Sequence, residues 1–258
     1  MRYAKRGPLR FTSHRDFARA FERAVKRAGV PIAFSQGFTP HPKISYASAA
    51  PTGTASEAEY LEIGLQREVD PAWVRGALDA ALSPGLDVLD AVAASASSLA
   101  DRIDASRWQI ELPGLALADV SEAVAKFRDS SEVLVERQTK QGRRTFDTRD
   151  AVASIEVINS GPAASAPQGP GSSMPTVSPG IGRSTASAGP CAILDVVVRQ
   201  VTPSVRPDDV LAGLRVVADL EPPVPPRATR LAQGRLTAQG AIADPLEADR
   251  DGAVVGER

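Results

Sequence analysis

The order of elements across the first 95 residues constrains the fold more than any other feature of the chain: two amphipathic helical stretches, each framed by runs of strand character. Arg2-Tyr3-Ala4-Lys5 and, past Gly7-Pro8, Leu9-Arg10-Phe11 alternate as an opening strand broken by a turn. Ser13, followed three residues later by Asp16, predicts a helix N-terminus. Phe17, Phe21, Ala24, Val25 and Ala28 then share one helical face, and Gly29 ends it. Pro31-Ile32-Ala33-Phe34 predicts a second strand, Ile44 to Ala47 an extended run, and Ala58 to Leu65 a third strand. Asp70-Pro71 opens a second helix through Leu82, and Leu86 to Ala93 forms a fourth strand.

The order β-α-β-β-α-β is the split βαβ, or ferredoxin-like, plan, with both helices on one face of an antiparallel sheet and the other face free. A second such pattern begins at Trp108-Gln109-Ile110-Glu111-Leu112. It continues through a helix capped at Asp119, a hairpin with the basic tip Lys140 to Arg144, the strong strand Cys191 to Val201, a helix over Asp208 to Leu220 and a closing strand near Ala228 to Leu236. Trp73 and Trp108 fall on expected core faces. The Gly-, Pro-, Ser- and Ala-rich residues 159–190 have no apolar period and read as a disordered insertion. The expected class is α+β, as two tandem ferredoxin-like domains with antiparallel sheets. The first spans 1–98 and the second 105–236, before an acidic disordered tail at 237–258.

Charge is distributed unevenly. Residues 1–50 hold ten Lys and Arg against Asp16 and Glu22, whereas the whole chain has a net charge of -1. A basic segment beside an acidic remainder implies an anionic partner, RNA or another phosphorylated ligand. The single Cys191 excludes an intrachain disulfide framework and any multi-cysteine metal site built by this chain alone. No apolar run approaches the roughly 18 residues of a membrane span, and Met1 to Phe11 lacks the apolar core of a signal peptide. A cytoplasmic protein without membrane contact or cofactor is expected.

Chemistry concentrates in the same basic region. Arg15, Arg19, Arg23 and Lys26/Arg27 recur along a second helical face, where like charges at this spacing repel unless an anion relieves them; a solvated face is the plainer reading. Gly37, within Ser35-Gln36-Gly37-Phe38-Thr39-Pro40-His41-Pro42-Lys43, can bring a ligand close to the backbone, and the prolines stiffen the loop around His41. Arg10, Arg15, Arg19, Arg23, Gln36, Gly37 and Phe38 are the expected binding residues. The chain's two histidines, His14 and His41, with Lys43 or Arg10 against the phosphate, would suit acid/base cleavage of RNA if they converge. A metal site using both histidines with Glu57 or Glu59 lacks any fixed ligand spacing, so no metal is expected. The Ser56 to Tyr60 stretch is expected to cap or pair with arginines across the sheet.

The segments RYAKRGPLRFTSHRD and ERAVKRAGVPIAFSQGFTPHPKISYASAAPTGTASEAEYLEI closely resemble the radical SAM-linked protein family, a domain of unknown function. The resemblance is densest over residues 2–65 and looser to about 236. In that family the domain is fused behind a radical SAM enzyme or occurs as a separate chain, the latter typical of high-GC actinobacteria. The resemblance implies a radical SAM partner but no assigned activity. This chain has no CxxxCxxC motif and could not hold the iron–sulfur cluster itself. At the level of architecture, tandem ferredoxin-like units with a Gly-rich loop also look like the CRISPR repeat-processing endoribonucleases. The first expectation is therefore an RNA-binding or substrate-presenting accessory protein. The alternatives are a metal-independent endoribonuclease using His14 and His41, and an adaptor that docks a radical SAM enzyme through the acidic second domain.

Overall fold

Strand β1 (Arg2–Lys5) directs Tyr3 onto helix α1 (His14–Ala28), where it stacks on Phe17 with ring centroids 4.3 Å apart. The computed structural model describes residues 1–94, 97–139, 142–158 and 190–253. The first half continues through β2 (Ile44–Ala47), β3 (Ala55–Ile63), α2 (Pro71–Ala81) and β4 (Val88–Asp90). The second comprises β5 (Ala105–Pro113), α3 (Leu117–Asp129), β6 (Leu134–Thr139), β7 (Gly142–Asp147), β8 (Val152–Ile158), β9 (Cys191–Arg199), α4 (Pro207–Ala218) and β10 (Arg227–Leu236). Strand β11 (Ile242–Ala243) and helix α5 (Glu247–Ala253) follow. The result is a mixed α+β fold with mostly antiparallel strand pairing.

One nine-stranded sheet runs β4-β1-β3-β10-β5-β9-β8, with β2 on β3 and β11 on β10, while β6 and β7 form a separate hairpin. The two halves are joined by the parallel pairing of Thr229 and Arg230 of β10 with Ala55 and Ser56 of β3. Helices α1 and α2 bury Phe17, Phe21, Val25, Val74 and Leu78 against Tyr3, Leu61 and Val88 of the first half. Trp108, Ile110, Phe127, Leu194 and Leu214 centre the second core.

Several expectations change. Leu9-Arg10-Phe11 does not resume the strand: Gly7 takes φ +53° and Pro8 starts a 3-10 helix over Gly7–Phe11. Pro31 to Phe34 makes only isolated bridges, Ile32 to Leu65 and Phe34 to Pro42, because prolines 31 and 42 lack the N–H donors a longer ladder needs. The first sheet's second face is not free. Tyr60 points away from the side that Leu61 shares with α1, and it clusters with Ala47, Ala58, Leu99, Ile103 and Leu246. The supposed acidic tail supplies that cover: β11 pairs with β10, Leu246 is buried, and Arg102 donates to Asp249 at 2.7 Å. Trp73 is 46% exposed, so the α2 core face runs through Val74 and Leu78 instead. The insertion expected at 159–190 lies almost wholly outside the described residues.

Candidate nucleic-acid interface

Helix α1 is fixed at both ends by its own sequence. Ser13 accepts from the Asp16 amide at 3.2 Å while its hydroxyl donates to the Asp16 carboxylate at 2.6 Å. Gly29 closes the helix in the left-handed region, its N–H reaching the Lys26 carbonyl. With Phe17, Phe21, Ala24 and Val25 buried, the remaining face must carry Arg15, Arg19, Arg23 and Lys26 outward. None of these four forms an ion pair among the described residues, whereas Arg6, Arg107, Arg137, Arg230 and Arg250 all hold carboxylates. Arg27 instead donates to the Ala81 carbonyl at 2.9 Å, at the end of α2.

Beside the C-terminal half of this face lies a groove of about 710 Å³. Arg19, Glu22, Arg23 and Lys26 form one wall, and Val30, Ile32, Phe34 and Pro42 form the other. The second wall is the base of a short hairpin. The Phe34–Pro42 bridge is followed by the Ser35 amide donating to the His41 carbonyl at 2.8 Å and the His41 amide donating to Ser35 Oγ at 3.0 Å. Gln36, Gly37 and Phe38 occupy the exposed tip, where Gly37 takes φ +138°, strained for any side chain although no neighbour would crowd a Cβ there. Phe38 is wholly exposed and Phe34 is 45% exposed.

The expected residues divide into two groups. Along α1, Arg19 and Arg23 line the same groove as the base of the hairpin, and Lys43 packs its stem on Gly64, whose added Cβ would stand 3.0 Å from that of Lys43. At the N-terminal end, His14 lies edge-on to Tyr46 at 4.8 Å, and the Arg10 guanidinium covers the Phe11 ring at 4.5 Å. Tyr46 lies five positions after His41, with four residues between them. No hydrogen bond, ion pair or ring contact joins His14 to His41, or either to Lys43, among the described residues. Glu57 and Glu59, the carboxylates considered for a metal, instead pair with Arg6 and Arg230.

Tyr46 is pushed up to about 12, mainly by burial and secondarily by the Glu22 carboxylate. Phe34 and Pro42 were not singled out by sequence reasoning as lining residues. The signal was present in the two prolines that bracket the segment, which forbid a strand and leave a walled turn.

Among the described residues no helix is long and apolar enough to cross a membrane. The profile of a family described as an uncharacterized protein conserved in bacteria matches residues 1–207. No curated protein matches the chain.

Proposed function

The chain belongs to that family of uncharacterized bacterial proteins, and on this premise we propose that it is an RNA-binding accessory protein serving an enzyme of RNA processing or modification. The observation that carries the reading is the row of α1 cations without carboxylate partners among the described residues, beside a groove with an exposed aromatic residue, Phe34. Some surface arginines elsewhere, Arg107 and Arg227 among them, are paired with acids, and a run of four unpaired cations on one helix fits a polyanion supplied from outside.

The strand orders β4-β1-β3-β2 and β10-β5-β9-β8 support a reading of two ferredoxin-like domains, near 1–98 and 105–236, fused edge to edge. The resemblance to radical SAM-linked proteins supports a radical SAM enzyme as the partner. That partner would hold the cluster and perform the reaction, while this chain presents the RNA. Among the described residues no contact joins His14 to His41, which favours a binding role over the endoribonuclease alternative.

The charge-reversed protein carrying Arg19→Glu and Arg23→Glu tests this directly. Filter binding to total cellular RNA should show most of the affinity lost, with circular dichroism unchanged because both side chains are exposed. Undiminished binding would reject the assignment of this face.

A further inference from the structure

Resting on the RNA reading of the α1 groove, we infer that the site takes single-stranded RNA and holds unstacked bases against Phe34 and Phe38, rather than docking a duplex. Two features of the groove point there. Its cations stand on one wall only: Arg19, Arg23 and Lys26 occupy positions i, i+4 and i+7, spanning about 10 Å along the helix axis, enough for a short run of one phosphate backbone. The opposite wall is apolar, made by Val30, Ile32, Phe34 and Pro42. A duplex offers phosphates on both flanks and hides its base faces. A single strand offers a charged edge and an apolar edge side by side, the same polarity as this groove.

Phe38 is not part of the groove lining and stands at the tip of the hairpin whose base, Phe34 and Pro42, is. Its ring is wholly exposed at the tip of a hairpin, with no packing role in the fold. The hairpin is nevertheless fixed at its base by the Phe34–Pro42 bridge and both Ser35–His41 hydrogen bonds, so the ring is presented from a defined platform. An aromatic ring held in water on such a platform suits stacking on a base, a contact that tolerates any sequence because every base has a π-face. Gln66 also borders the groove, as a neutral side chain able to donate to and accept from a base edge.

The test uses the full chain and one labelled RNA oligonucleotide of mixed sequence, alone and annealed to its complement, followed by fluorescence anisotropy over a salt series. The single strand should bind at least about tenfold tighter than the duplex. Phe38→Ala should weaken single-strand binding by roughly 5- to 100-fold, leaving the salt slope unchanged because no cation is removed. Phe38→Trp should retain affinity, and Phe38→Leu, which keeps apolar bulk without a π-face, should lose it. Equal or tighter duplex binding, or wild-type affinity in Phe38→Ala and Phe38→Leu, overturns the inference while leaving salt-dependent RNA binding intact. Absence of salt-dependent binding to either form overturns the underlying RNA reading as well.

Discussion

Glu59 and Arg230 are almost completely buried and paired where the two halves of the sheet meet. Glu59 also accepts from the Ala50 amide at 3.1 Å, and Arg230 donates to the Ser48 carbonyl at 2.7 Å and lies over the Trp108 ring. Lys5, buried beside them, reaches the Ala50 and Pro51 carbonyls, and desolvation lowers its pKa. Glu59→Ala would leave the guanidinium buried without its counter-charge, so denaturant unfolding should show a loss of about 3–5 kcal/mol. Tyr46 makes a gentler prediction, because its hydroxyl is buried with no hydrogen-bond partner among the described residues. Its folded pKa, about 12, lies above the usual 10, so its contribution is complete below pH 10 and is lost as the pH rises from 10 toward 12. Tyr46→Phe should therefore flatten the alkaline decline in stability without destabilising the protein at neutral pH, as read by thermal unfolding across that range. The sequence shows that the carboxylates of Ser56 to Tyr60 seek arginines. Which arginines they find is not local information: Arg6 and Arg230 stand 51 and 171 residues away from Glu57 and Glu59.

At the level of elements, α1 was legible nearly to the residue, since its cap, its apolar stripe and its terminal glycine all act within a few positions of one another. Ser13→Ala should cost about 1 kcal/mol of stability, measured by urea unfolding, through loss of the amide contact to Asp16. The hairpin at 34–42 and the ordering of the C-terminal segment were not legible. Both are short, and each depends on contacts that periodicity does not encode. Strand β11 is only two residues long, and α5 lies alongside Asp90 and Arg102 through Arg250 and Asp249. Gly234 is the point of closest approach: an added Cβ would meet the Ala243 carbonyl oxygen at 1.8 Å. Gly234→Ala should accordingly dislodge β11 at a cost of about 1–3 kcal/mol, and amide exchange at residues 242–246 should accelerate while the α1 core stays protected.

Across the whole molecule, the two βαββαβ patterns in the sequence correspond to a single sheet, and the strand that unites them, β10, lies beyond the residues 1–207 shared with the family profile. A chain ending at residue 207 would expose the edges of both β3 and β5, and it should fail to unfold cooperatively in a thermal melt. The junction was hidden because β3–β10 is a parallel pairing between segments about 170 residues apart, which no local alternation announces. The uneven charge was legible from the start, and its consequence appears only at this scale. The helices, the 97–103 segment and the C-terminal segment cover the two faces of the first sheet, and the proposed RNA site is therefore set on the exposed basic side of α1 and its hairpin instead of on a sheet face. The most direct test of that claim is the slope of log affinity for RNA against log salt concentration, compared between the wild-type chain and the Arg19→Glu, Arg23→Glu protein. A steep negative slope in the wild type, reduced in magnitude by about two in the variant, is the predicted result. A flat wild-type slope, or the same slope in both proteins, would contradict it.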